Sequence, residues 1–176
     1  SMNETLKTLY TRRSIREFTN KQISDEDLAL ILHAAAYAPS GRNQQTWNFT
    51  VVQNPNLLKE LADDIKLELN MKRDFQYNFH GAPTLIIISS DRNSKTGNLD
   101  CAAALENILI AATSLNIGSC WINQLNNVCD TPKIRTLLNS FQIPEEHIVW
   151  GCAALGYGTK IPKAPPRKKG IIKIIK

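Results

Sequence analysis

Four large apolar residues, Leu85-Ile86-Ile87-Ile88, stand between Thr84 and Ser89 with no polar residue among them. Successive side chains of a strand point to opposite faces, so this run has no face to offer to water. It predicts a strand covered on both sides, and with it a layered domain. The covering helices are legible as well. Leu28, Ile31, Leu32 and Ala35 recur at helical spacing. Ser24 with Asp27 gives that helix a capping-box-like start, and Pro39-Ser40-Gly41 a stop. Asn54 and Pro55 open a second helix lined by Leu57, Leu58, Leu61, Ile65 and Leu69. Residues 100–116 are Ala-rich and apolar on nearly every face, which predicts a central helix able to pack against a second subunit. Gly118 reads as its stop. Leu6, Leu9 and Tyr10 predict a short first helix, residues 132–138 another, and 71–82 a loop or short helix. Residues 47–52, 120–122 and 148–155 read as strands. Helices and strands therefore alternate, and the expected class is an α/β three-layer sandwich.

The 176 residues fit one domain, read as 1–159, followed by an arm, 160–176, in which Pro162, Pro165 and Pro166 favour an extended path. The formal charge of +5 is concentrated in that arm. Its seven Lys and Arg face no acid, while the preceding residues hold 14 bases against 16 acids. A slightly acidic body argues against a nucleic-acid binder. No segment is apolar enough to span a membrane, and the first residues lack the apolar stretch of a signal peptide, so no membrane role and a cytoplasmic location are expected. Ser1 ahead of Met2 reads as a cloning remnant.

Cys101, Cys120, Cys129 and Cys152 lack a Cys-x-x-Cys pair and read as reduced core thiols. His33, His80 and His147 are equally scattered, and no metal site is expected. Zinc-protease, nucleophile-elbow, P-loop and dinucleotide-fold signatures are absent from the sequence.

Two polar stretches remain. Arg12-Arg13-Ser14-x-Arg16 places three guanidinium forks and a hydroxyl within five residues, a donor set suited to phosphate, although charge alone favours a solvated basic turn. Residues 39–47 supply Asn and Gln side chains that both donate and accept, as a heteroaromatic edge requires, although the stretch taken alone favours an ordinary polar loop.

Taken together, Arg12-x-Ser14-x-Arg16 and Ala38-Pro39-Ser40-x-x-Asn43-x-Gln45-x-Trp47 resemble the FMN-dependent nitroreductase family. The resemblance continues through Gly81-Ala82-Pro83, Gly118-Ser119-Cys120-Trp121-Ile122, Gly156-Tyr157-Gly158 and the Pro-rich basic end. It implies a central, mostly antiparallel sheet flanked by helices, a homodimer, and a C-terminal arm swapped onto the partner subunit. It also implies FMN as cofactor and NADH or NADPH as electron donor. Arg12, Arg13 and Ser14 would lie at the FMN phosphate and ribityl group, and Arg16 near the pyrimidine ring, stabilising reduced flavin. Pro39, Ser40, Asn43 and Gln45 would contact flavin, often the neighbour's. Trp121, Ile122 and Asn123 would pass the reactive N5, and Arg167 and Lys168, with Lys169 as an alternative, would close over the phosphate.

No side chain need act as nucleophile or general base, because the flavin carries the hydride. Nitroaromatics, quinones and free flavins are the implied small-molecule acceptors, in a ping-pong cycle. A flavin-storing or flavin-sensing protein would carry the same binding residues. The sequence departs from the family in three respects. Thr46 stands where many members have Pro, Asn123-Gln124 stands where many have Glu-Gly, and the chain is short. Lys72 or Arg73 is a further basic candidate near the flavin.

Overall fold

The computed structural model describes residues 2–176, so the reading of Ser1 lies outside it. Four strands, β1 (Trp47–Val52), β2 (Thr84–Asp91), β3 (Gly118–Ile122) and β4 (His147–Gly156), form one sheet in the order β1-β2-β4-β3. All three pairings are antiparallel. Helices α2 (Asp25–Ala36) and α4 (Gly97–Ser114) cover one face. Helices α3 (Pro55–Glu68), α5 (Gln124–Val128) and α6 (Pro132–Ser140) cover the other. Helix α1 (Glu4–Thr11) precedes these layers.

Strand β2 explains the arrangement. Leu85 and Ile87 enter the core beneath α3 and α6, with Leu61, Ile65, Ile134 and Leu138. Ile86 and Ile88 enter the core beneath α2 and α4, with Ile31, Ala104, Leu105 and Ile108. All four are fully buried. Each such side chain contributes about 1.5–3 kcal/mol of apolar burial, which is why the uniform run must occupy the interior of the sheet.

Local signals set the helix ends. Asn3, Ser24 and Asn54 each accept a backbone amide at the N-caps of α1, α2 and α3. At their C-termini α3, α4 and α6 share one device. Asn70, Asn116 and Gln142 adopt left-handed φ, and the next amide reaches back to the carbonyl of Lys66, Ala112 or Leu138. Gly118 is therefore not the stop of α4, which ends at Ser114 two residues ahead of Asn116. Gly118 instead opens β3, where a Cβ would meet Ile15 Cγ1 at 3.1 Å and the Gly156 carbonyl at 3.2 Å. Helix α4 also begins at Gly97 rather than 100, and α5, too short to carry a periodic signal, was not expected from the sequence.

The segment after α1 docks on β3. Ser14 pairs with Ser119 in a parallel bridge, and the Ile15 amide donates to the Ser119 carbonyl at 2.9 Å. Further on, Phe18 bridges Gly158, while Thr19 and Thr159 donate to the carbonyls of Tyr157 and Glu17. Beyond Thr159 the arm has no helix or strand, and its residues are exposed, Ile171 to 65% and Ile175 to 94%. At the other side of the sheet β1 is the edge strand, and among the described residues no strand pairs with its outer edge.

Candidate functional site

The residues singled out in the sequence occupy four places. The first is the junction of α1 with β3. Arg12 caps α1, donating its amide to the Thr8 carbonyl, and its Nε lies 3.9 Å from Glu106 of α4. Arg13 turns back, its Nη1 donating to the Tyr10 and Arg12 carbonyls. Ile15 and Phe18 anchor the segment in the core, and Arg16 stands exposed between them. Arg16 and Arg12 both lie near Cys120: burial pushes this thiol up, and the two guanidinium groups partly offset the effect. Arg16 also acts with burial to hold His80 below the usual imidazole range, burial being the larger cause.

One atom at this junction is unexplained by the fold. Ser119 is 1% exposed, and its hydroxyl has no hydrogen-bond partner. Buried hydroxyls are normally paired, so an orphan on the strand that the Arg12–Arg16 segment bridges suits a phosphate or polyol ligand. The donor set at this junction fits the phosphate end of FMN. Ser119 was read from the sequence only as part of a motif, because its partner Ser14 lies in a distant stretch of the chain.

The second place is the loop from Pro39 to Thr46. Asn43 Oδ1 accepts from Gln45 Nε2 at 2.9 Å, and Ser40 Oγ accepts the Gln45 amide at 3.1 Å. This pairing leaves the Asn43 amide nitrogen and the Gln45 carbonyl turned away from each other's bond, one donor and one acceptor on an exposed surface. Thr46 Oγ1 is buried without a partner. The loop is held on α4 by Asp100, which accepts the Gly41 amide at 3.0 Å.

The third place is the end of β3. Trp121 Nε1 donates to Asn123 Oδ1 at 3.2 Å, and the indole packs over Gly151, where a Cβ would meet it at 3.1 Å. A register shift between Ile88 and Ser89 leaves Trp150 as an extra residue of β4, its Nε1 donating to Ser90 Oγ at 3.0 Å. The two indoles and the side chains of Asn98, Asn123 and Asn126 enclose a chamber of about 290 Å³ with no charged lining residue. Ile122, one residue on, is buried on the opposite sheet face. Gln124 Oε1 accepts from the Tyr77 hydroxyl at 3.2 Å. A larger cavity of about 950 Å³ lies between α3 and residues 73–83, and it includes Arg73, the further basic candidate, but none of the other candidate flavin contacts.

The fourth place is the arm. Among the described residues, no hydrogen bond or ion pair joins Arg167, Lys168 or Lys169 to the rest of the chain. Nor does the chain bring the first and second places together. Arg12 meets α4 at Glu106 and Gly41 meets it at Asp100, six residues apart. At 1.5 Å and 100° per residue this is about 9 Å along the helix and roughly 120° around it.

All four cysteines are free and buried, and burial raises the thiols of Cys101, Cys120 and Cys152, so none of these three is a ready nucleophile. Among the described residues no group of His, Cys, Asp or Glu could hold a metal, and no helix is long and apolar enough to cross a membrane.

The comparisons with known proteins converge. The profile described as the nitroreductase family matches residues 9–157. A relative from Archaeoglobus fulgidus, named as a candidate NADH dehydrogenase/NAD(P)H nitroreductase, is 38% identical over 161 residues, spanning 89% of this chain and 86% of its own. A Bacteroides fragilis nitroreductase crystallised with bound FMN is 43% identical, with a TM-score of 0.94 over 99% of this chain and 100% of that one. A second FMN-bound nitroreductase, from Desulfitobacterium hafniense, is 29% identical, with a TM-score of 0.90 over the whole of both chains.

Proposed function

The chain belongs to the nitroreductase family, and on that footing we propose that it is an FMN-dependent NAD(P)H oxidoreductase acting by ping-pong hydride transfer on nitroaromatic, quinone or similar flat acceptors. The observation that carries this reading is the junction at Ser14 and Ser119. There a buried orphan hydroxyl and the guanidinium groups of Arg12 and Arg16 present donors that nothing in the chain consumes fully.

When bound, FMN supplies hydride exchange between the nicotinamide and the acceptor. The protein's part is binding, orientation and charge. Arg12, Arg13 and Ser14 hold the phosphate end. Arg16 would present a positive charge to the pyrimidine end and so favour the electron-rich state of the cofactor. Trp121, Asn123 and the backbone of Ile122 would border the reactive edge. No side chain is required as nucleophile, which agrees with four buried thiols.

The active unit in this reading is a homodimer. Leu6, Leu9, Tyr10, Leu30, Tyr37 and Leu99 are exposed on α1, α2 and α4, an apolar surface suited to a second copy. Pairing along α4 supplies Pro39, Ser40, Asn43 and Gln45 of one subunit to the flavin of the other, which a single chain does not do. Residues 160–176 cross to the partner, where Arg167 and Lys168 close over the phosphate. The Ile-rich end then adds a strand beside the outer edge of β1.

The purified protein is expected to be yellow, to bleach under NADH or NADPH without oxygen, and to recover its colour on addition of a quinone. A colourless protein that takes up no added FMN would overturn the reading. A yellow protein that neither reductant bleaches would leave flavin storage or sensing in its place.

A further inference from the structure

Asp100 lies in the first turn of α4, 5% exposed, and among the described residues no cation stands within ion-pair distance of it. Its Oδ1 accepts the Gly41 amide at 3.0 Å and its Oδ2 accepts the Thr96 hydroxyl at 2.9 Å. A carboxylate removed from water without a counter-ion needs such donors, and the positive end of the helix dipole assists them. Thr96 occupies the N-cap of α4 yet caps no backbone amide; its hydroxyl goes to Asp100 instead. The cap hydroxyl thus serves the carboxylate, and the carboxylate serves the neighbouring loop rather than the amides of the helix end.

That loop needs an external hold. Arg42, Asn43 and Gln45 adopt φ of +53°, +54° and +51°, a region that residues other than glycine occupy at a cost. The bonds among Ser40, Gly41, Asn43, Gln44 and Gln45 are internal to the loop. Among the described residues, the Gly41–Asp100 bond is the one hydrogen bond that ties residues 40–46 to the rest of the chain. The approach at Gly41 is close as well, since a Cβ there would come within 2.4 Å of Thr96 Oγ1.

We infer that Asp100 is a positioning residue for cofactor binding: through the Gly41 amide it holds the strained loop so that Asn43 and Gln45 meet the neighbouring subunit's flavin. This rests on the reading of the loop as a flavin contact. It assigns a role to a carboxylate that touches neither cofactor nor substrate.

The test is FMN affinity, measured by fluorescence titration of the full-length apoprotein, together with the visible circular dichroism of the bound flavin. Asp100→Ala is expected to weaken FMN binding about tenfold and to alter the dichroic bands. Asp100→Asn keeps an Oδ1 acceptor for the Gly41 amide and should restore affinity to within about threefold of the wild type. If Asp100→Ala does not fold, Gly41→Ala attacks the same junction from the loop side. It should weaken FMN binding, and adding Thr96→Ala should restore part of the loss. A folded Asp100→Ala with wild-type affinity and dichroism overturns the inference, as does Gly41→Ala without effect. A wild-type protein that binds no flavin overturns the parent reading instead.

Discussion

Ser14 and Ser119 face each other across a parallel bridge, and the hydroxyl of Ser119 is buried beside it with no partner. The bridge fixes the backbone of the Arg12–Arg16 segment against β3, so the guanidinium groups are carried on a rigid edge rather than a loose turn. Arg12→Ala should raise the FMN dissociation constant by one to two orders of magnitude, the effect of losing a charge-assisted bond of about 1.5–3 kcal/mol. Ser119→Ala should act in the same direction but more weakly. Titration of apoprotein with FMN measures both, and unchanged affinity in Arg12→Ala would place the phosphate elsewhere.

Arg16 has a different expected signature. Its charge favours the electron-rich state of the cofactor, so Arg16→Ala should lower the flavin midpoint potential. A loss of about 30 mV corresponds to ~1.4 kcal/mol for a two-electron couple. Potentiometric titration of the loaded variant distinguishes this from a mere binding defect, and an unaltered potential would remove Arg16 from the redox edge.

The arm is testable by deletion. Four isoleucines between 65% and 94% exposed form an aggregation-prone stretch unless paired. Truncation after Thr159 uncovers the β1 edge of the other subunit in a swapped dimer, and it removes Arg167 and Lys168 together. The truncated protein should be poorly soluble and free of flavin. A soluble, flavin-loaded truncated dimer would exclude the swap.

One ionic cluster lies far from the proposed site and bears on stability alone. Asp130 accepts hydrogen bonds from Arg92 and Arg135, and the bond from Arg92 is the largest cause holding its carboxyl down to about 2. The folded value is below the ordinary 3.8, so the group stabilises the fold above that pH. Its contribution is lost as pH falls from about 4 to about 2. Asp130→Asn should therefore be less stable than the wild type at neutral pH, with the two unfolding curves converging toward pH 2.

Much of the fold was readable from short-range signals. The apolar run of β2, the Asn54-Pro55 start of α3 and the spacing of Leu28, Ile31 and Ala35 each act within a few residues, and each element formed where expected. Gly118 misled because glycine has two uses. Here it permits the close approach of Ile15 to β3, whereas Asn116 supplies the left-handed turn that ends α4. The motif around Arg12 and the loop after Pro39 were likewise visible as residues; each alone reads as an ordinary polar stretch, and only the family resemblance joined them as a flavin site.

By itself the sequence determined the four strands and every α-helix but α5, the layered class and the chemical character of the two polar motifs, because periodicity, caps and donor types are local properties. The tertiary structure decided which distant groups meet. It set the Asp100 carboxylate on an amide 59 residues away, buried the Ser119 hydroxyl against the N-terminal segment, and spread the two motifs around different faces of α4. Such partnerships depend on how layers pack, and no pattern within a few residues encodes them.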